Sequence, residues 1–345
     1  MVFPSPVGGL PLPLDFAPTI LFAVLYGLLL PLLAYRIIDR RSRTWLLFGT
    51  SLFAVERVVV FGLRAMQATN ESRRLSRGFA SYMQSSFGSG YTGISWDLVS
   101  LARCLLVNPT FGFDNYGQSS AAATKGCHLP PPELGEDDRP RERYMLRRLS
   151  DLAAFAFFAS IVPGIIANSR YSRTFTSPTA AHRTYVLRYV STSVALFLLI
   201  IIFLASIWSR FRQHRSGTRG ILIITTLVIL MSIVSIFRLA IMHNETVALD
   251  STSPGSMNTS SEKAAFYVLH VLPEWVATVV LLGCNIRKTF GTGAWGDWRR
   301  LDETPEQREK RERKAAARAE RKRLRQWNGS MSNIPLNTLS TPHAT

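Results

Sequence analysis

The chain has 345 residues, 47% hydrophobic and 18% charged, with a formal net charge of +17. A soluble domain is nearer a quarter charged, and here the apolar residues come in blocks of roughly 20, the length a helix needs to cross a bilayer. This patterning excludes a soluble globular enzyme. Three cysteines, Cys104, Cys127 and Cys284, are too few and too scattered for a disulfide framework or a metal cluster.

Seven blocks follow in chain order. The first sixteen residues, MVFPSPVGGLPLPLDF, hold no Lys or Arg. A basic leader region is therefore missing, and the first hydrophobic block is expected to stay as a span. Span 1 covers 17–38, with Gly27 and Pro31 able to bend it, and a basic run from Arg36 to Arg43 follows. Span 2 covers 45–67 and holds Glu56, Arg57 and Arg64. Span 3, at 91–111, is the least hydrophobic; it holds Asp97 and Arg103 and ends at Asn108-Pro109. The connection 112–148 reads as a charged, partly disordered loop with a basic edge beside the membrane. Spans 4, 5 and 6 cover 149–167, 185–208 and 220–242, with Arg188 in span 5 and Arg238 near the end of span 6.

Span 7, at 264–286, is the most informative stretch. His270 and Glu274 are four apart and share one helix face. Pro273 lacks the N–H that would bond the carbonyl of Leu269, so a kink is expected there. A polar face beside a freed carbonyl turns away from lipid, toward other helices or a wet cavity. Arg238, near the same end of the preceding span, is expected within reach of Glu274 or His270. The remaining segment, 291–345, reads as a basic tail with a helix over 305–327, capped by Thr304, Pro305 and Gln307. That helix has no apolar stripe, so it suits solvent and anionic lipid heads rather than nucleic acid.

Two signals orient the chain. With the N-terminus outside, segments called cytoplasmic carry 28 Lys and Arg and segments called outer carry 7. The glycosylation triplets at Asn70, Asn244 and Asn258 all fall in outer segments, and a fourth, at Asn328, falls in the tail. The expectation is an all-α, seven-helix, multi-pass bundle in the plasma membrane or an endomembrane, N-terminus outside and C-terminus cytoplasmic.

The ionisable set inside the spans is Glu56, Arg57, Arg64, Asp97, Arg103, Arg188, Arg238, His270 and Glu274. Charges there are costly to insert and so imply partners, either interhelical ion pairs or a ligand. The placement of most of them toward one end suggests a polar core opening outward. No HExxH, GxSxG, paired mid-span aspartates or internal span-7 lysine is present, so catalytic residues, a metal and a cofactor are not expected. The expected partners are the bilayer, anionic lipid heads at the basic cytoplasmic segments, a small-molecule ligand and a cytoplasmic partner of the tail.

Three strings, ERVVVFGLRA in span 2, SGYTGISWDLVSLARCLLVNPT in span 3 and HVLPEW in span 7, together with the topology, resemble the fungal orphan membrane proteins that are G-protein-coupled-receptor-like. Glu56 and Arg64 give a weaker resemblance to the fungal lipid-translocating exporters tied to aminocholesterol resistance. The first resemblance implies a receptor-like sensor of a small extracellular or outer-leaflet ligand. The second implies a lipid or amphiphile exporter. A structural membrane protein without a ligand is the third reading. A cavity open outward favours the first, one open sideways to lipid the second, and a sealed core the third.

Overall fold

The computed structural model describes residues 2–331, in two compact units, Met1–Arg300 and Leu301–Thr345. In the first unit a short strand, β1 (Phe3–Pro4), precedes seven long helices: α1 (Pro13–Ile38), α2 (Trp45–Thr69), α3 (Arg77–Val107), α4 (Pro140–Ser169), α5 (Pro178–Arg212), α6 (Thr218–Ile241) and α7 (Ser260–Gly283). A second short strand, β2 (Glu245–Thr246), pairs antiparallel with β1. All but α3 are long and apolar enough to cross a membrane. Side chains such as Leu21, Val59, Phe155, Phe197 and Leu222 point outward, while Arg57, Arg64, His270 and Glu274 are buried. This inverts the pattern of a soluble protein and suits lipid outside. The chain is an all-α polytopic membrane protein.

The helix α3 is the axis of the bundle. It touches α2, α4, α5, α6 and α7, and 19 of its 31 residues are buried. A helix surrounded by protein needs no apolar surface, which explains its Gly, Ser and Thr content and its low hydropathy. It begins at Arg77, well before the expected start at 91, so most of the stretch expected to be a connection is helical. The expected stop holds: a short turn at Asn108–Thr110, containing Pro109, follows Val107. The helix α4 begins at Pro140, earlier than expected, and takes up the basic edge of the 112–148 connection. The rest of that connection is packed, with Ala121 and Leu129 buried.

Local breaks follow from proline. Within α1, Phe16–Gly27 and Leu29–Ile38 are separate segments, because Pro31 cannot bond the carbonyl of Gly27. Within α7, a π-turn at Tyr267–Val271 lies just ahead of Pro273. Such wide turns absorb the mismatch where the ladder of backbone bonds is interrupted.

Different segments gather at the two ends of the bundle, the amino end and the loop end. Residues 3–12 lie at the amino end, with the loops near 70–76, 170–177 and 242–259. The 112–139 connection and residues 284–300 lie at the loop end. In the second unit, α8 (Pro305–Met331) carries the expected cap: Gln307 N–H donates to Thr304 Oγ1, and Thr304 N–H to Gln307 Oε1, both at 3.3 Å. It runs through Gly329, past the expected stop. The residues beyond 331 lie outside the described part of the chain.

Candidate functional site

A chain of buried polar groups crosses the bundle interior from α2 to α6. Arg57 Nη2 lies 3.0 Å from Glu274 Oε2, both side chains fully buried. Arg57 also donates to Ser86 Oγ at 2.6 Å. Its guanidinium lies over the rings of Phe53 and Phe87 at 4.2 and 5.0 Å. Glycine makes this possible: at Gly90 a Cβ would stand 2.3 Å from Arg57 Nη2 and 2.2 Å from Phe53. On the other side of Glu274, Arg238 Nη1 lies 3.2 Å from His270 Nε2. A guanidinium only donates, so Nε2 accepts and the imidazole proton sits on Nδ1, facing Glu274. Nδ1 and Glu274 Oε1 are 3.6 Å apart, too far for a good hydrogen bond, and neither atom has another partner.

The proximity expected for Arg238 is therefore found at His270, while the ion pair of Glu274 is made with Arg57. α6 and α7 do pack side by side as sequence neighbours, and α7 also meets α2, whose Arg57 takes the Glu274 carboxylate.

A second cluster lies at the amino end. Asp15 receives Arg64 Nη2 at 3.1 Å, Lys263 Nζ at 2.7 Å and Tyr267 Oη at 2.9 Å. Arg188 has no carboxylate among its hydrogen-bond partners. Its contacts are Gln84 Oε1 at 2.9 Å, Asn168 Oδ1 at 3.1 Å and the Ser5 carbonyl at 3.3 Å, with the Tyr171 ring 4.7 Å away. Gly88 lets Asn168 lie close to Arg238 as well: a Cβ there would meet Asn168 Nδ2 at 2.2 Å and Arg238 Nη2 at 3.8 Å.

Of the nine candidates, Arg57, Arg64, Arg188, Arg238, His270 and Glu274 are buried in the amino-side interior. Glu56 is beside them, 3.5 Å from Arg57, but keeps a side chain 29% exposed. Asp97 and Arg103 belong elsewhere, which corrects the expectation of a single polar core. Because α3 starts early, Asp97 falls toward the loop end. There its Oδ2 accepts from the Thr50 N–H at 2.8 Å and hydroxyl at 2.7 Å, satisfying a donor in the turn at Phe48 where the regular α-helix of α2 opens. Arg103 is held at the loop end by Asp151 and by Asp297 at 3.3 Å.

Among the described residues no opening reaches the polar core from the amino end. Residues 3–11 are buried across the amino end, and the core beneath them is filled by the ion pairs. The large cleft among the described residues opens sideways instead. It measures about 740 Å³ and lies between α4 and α5 in their loop-end halves, with α3 behind. Ala102, Leu146, Ala153, Ala156, Ile201 and Trp208 line it. Nearer the amino end the same two helices close tightly: Ser160 Oγ donates to the Ser191 carbonyl at 2.8 Å.

The residues missed by sequence reasoning are Asp15, Lys263, Tyr267, Gln84 and Asp297. A signal existed for three of them. Lys263, Tyr267, His270 and Glu274 fall at spacings of four, three and four along one helix face. Asp15 is the only acidic residue among the first 38. Nothing in sequence spacing pointed to Gln84 or Asp297.

The glycosylation expectations divide. Asn70 is exposed. Asn258 is buried, its Nδ2 donating to the Leu249 and Ser251 carbonyls at 2.8 and 2.7 Å and its Oδ1 accepting from the Leu10 N–H at 2.7 Å. A glycan on Asn258 is incompatible with that packing. Asn244 is half-buried.

No family model matches the chain, and neither a curated protein nor a solved structure matches it.

Proposed function

We propose that the protein is a receptor-like membrane sensor that takes an amphiphile from the bilayer into the lateral cleft. The observation that carries this reading is the cleft itself, apolar on nearly every side and open toward the lipid-facing surfaces of α4 and α5. Binding sites for small molecules are concave and mostly apolar, with volumes of roughly 300–1,000 Å³. Exposed Arg148, Arg210 and Arg212 lie on the loop-end turns of the same two helices, where cations suit an anionic head group.

A sideways opening is the feature expected of an exporter, but export also needs a way out of the cleft, and among the described residues none leads onward, so binding is favoured. The interior beyond the cleft is packed, residues 3–11 cover one end and residues 290–292 are buried at the other. In this reading α3 is a seventh crossing: 31 helical residues span roughly 46 Å, more than the roughly 30 Å core. The amino end faces outward, on the distribution of Lys and Arg.

The test is cleft filling. Ala153→Trp and Ala205→Phe place bulk where the lining is small. Native mass spectrometry of protein purified in mild detergent is expected to show co-purifying lipid on the wild type and little on the filled variants. Equal lipid retention by all three would contradict the proposal.

A further inference from the structure

The charges of the amino-side interior do not balance. Among the described residues, five cations are buried there, Arg57, Arg64, Arg188, Arg238 and Lys263, against two fully buried carboxylates, Asp15 and Glu274. Glu274 takes Arg57, and Asp15 takes both Arg64 and Lys263. Arg188 and Arg238 are left with neutral hydrogen-bond partners. Those of Arg188 are Gln84, Asn168 and the Ser5 carbonyl. The Tyr171 ring lies beside Arg188, but the Tyr171 hydroxyl donates to the Pro4 carbonyl at 2.7 Å. Arg238 Nη1 donates to the Phe87 carbonyl at 3.1 Å and to His270 Nε2 at 3.2 Å. Burying a guanidinium without a counter-charge is costly, and here two of them share one neighbour.

That neighbour is Asn168, in the last turn of α4. Its Oδ1 accepts from Arg188 Nε at 3.1 Å, so its Nδ2 points the other way. A Cβ on Gly88 would meet Asn168 Nδ2 at 2.2 Å and Arg238 Nη2 at 3.8 Å, so these two nitrogens lie no more than about 6 Å apart. Both are donors only. The side-chain hydrogen bonds of Asn168 and Arg238 among the described residues run through Asn168 Oδ1 and Arg238 Nη1, and Arg238 Nε has no partner. Asn168, Arg188 and Arg238 are each no more than 3% exposed, so bulk water does not serve them. Donor therefore faces donor beside Gly88, with a guanidinium on either side of the Asn168 amide. Hydrogen bonding there calls for an acceptor, and charge balance calls for an anion. A water molecule meets the first need and not the second.

We propose that a small inorganic anion, of the size and charge of chloride, binds beside Gly88 between the Asn168 amide and the Arg238 guanidinium, with Arg188 supplying the second positive charge across Asn168. The site is separate from the lateral cleft and does not rest on the lipid reading. An ion held there by the folded chain alone stabilises it by mass action.

Thermal melting of the full chain, purified throughout in sodium gluconate and mild detergent, tests this. Sodium chloride then replaces gluconate at constant ionic strength, which holds screening fixed. The melting temperature is expected to rise saturably, by roughly 2–5 °C between no chloride and about ten times the half-saturating concentration. Asn168→Asp places a tethered carboxylate between the two guanidinium groups. That variant is expected to melt above wild type in gluconate and to lose the chloride dependence. Arg238→Gln removes the facing donors and is expected to lose the dependence as well. A wild type indifferent to chloride would overturn the proposal and leave water as the occupant. A chloride response that persists in both variants would overturn it too, since the ion would then sit elsewhere. Should Arg238→Gln fail to fold, Asn168→Asp decides. A raised melting temperature in gluconate supports the site, and an unchanged or lowered one overturns it.

Discussion

The two ends of the bundle are closed by different chemistry. At the amino end, cations outnumber carboxylates, and Arg64, Arg188 and Lys263 lean on main-chain carbonyls of residues 5–10. At the loop end, Arg36, Arg215 and Arg287 also donate to main-chain carbonyls, but the most buried cations meet carboxylates. Asp297 receives Arg147 through two contacts of 2.9 Å and Arg103 through one of 3.3 Å, while Asp151 takes the other side of Arg103. The chain after α7 is drawn under the bundle as well. Asn108 Nδ2 donates to the Phe290 carbonyl at 2.8 Å, Trp45 N–H to the Ala294 carbonyl at 2.9 Å, and Trp295 stacks on Trp45. Carboxylate pairs are expensive to break, whereas each hydrogen bond to a main-chain carbonyl contributes less. The loop end is built as a clamp and the amino end as a cover held by smaller contacts.

The largest expected effect comes from truncation. Removing residues 304–345 is expected to leave a folded bundle, since the compact unit ends at Arg300. Removing residues 291–345 deletes Asp297 and leaves Arg147 and Arg103 short of a carboxylate, and is expected to abolish the cooperative thermal transition in detergent. A bundle that melts normally without residues 291–300 would break the comparison.

Single changes come next. Asp297→Asn strips the charge that serves Arg147 and Arg103, and Glu274→Gln leaves Arg57 buried without a full counter-charge. Each is expected to destabilise by about 3–5 kcal/mol. For Glu274, the Arg57→Gln, Glu274→Gln double variant is expected to be milder than the sum of its singles. The same cycle with Arg238→Gln should show weaker coupling, because Arg238 reaches Glu274 only through His270. Stronger coupling to Arg238 would contradict the pairing.

At the amino end, Tyr171→Phe removes one hydrogen bond to the cover, and about 1 kcal/mol is expected to be lost. A loss as large as that of Asp297→Asn would mean that the cover is as deeply locked as the clamp.

The smallest effect is a pH dependence at the loop end. Asp138 accepts from the Gly112 N–H at 2.9 Å and from Asn115 Nδ2 at 3.0 Å, and pairs with Arg143 at 2.8 Å. Partial burial pushes its carboxyl up, but the Arg143 guanidinium and these amide donors outweigh burial and hold it below the ordinary value. Its stabilisation is thus fully present above roughly pH 4, where the unfolded carboxylate is ionised, and is lost as pH falls through the lower folded value. Limited proteolysis of the 112–139 connection is expected to quicken only on strong acidification, and Asp138→Asn should remove that dependence.

Much of this architecture was legible in residue patterns. Apolar blocks located α1, α2 and α4 through α7, because helices facing lipid must be apolar. The extent of α3 was hidden for the converse reason, since a helix wrapped by protein is free to be polar. The buried chain was half visible. The spacing of His270 and Glu274 announced a polar face, and Arg238 was correctly placed near it. The Arg57 partner was not legible, since it depends on the contact of α2 with α7, which are not sequence neighbours. The cover was hidden for a different reason. Residues 3–12 are apolar, proline-rich and uncharged, and their role lies in carbonyls that every sequence has.

The most direct test compares backbone exchange at the two ends. Hydrogen–deuterium exchange on the full chain in nanodiscs reads the Val7 and Leu10 amides, bonded to Gln84 and Asn258. The Trp45 and Gly293 amides, bonded to Ala294 and Thr124, report the clamp. A cover held by individual hydrogen bonds opens locally while the clamp opens only with the bundle, so Val7 and Leu10 are expected to exchange at least about tenfold faster. Equal protection at both ends, or slower exchange at Val7 and Leu10, would contradict the account.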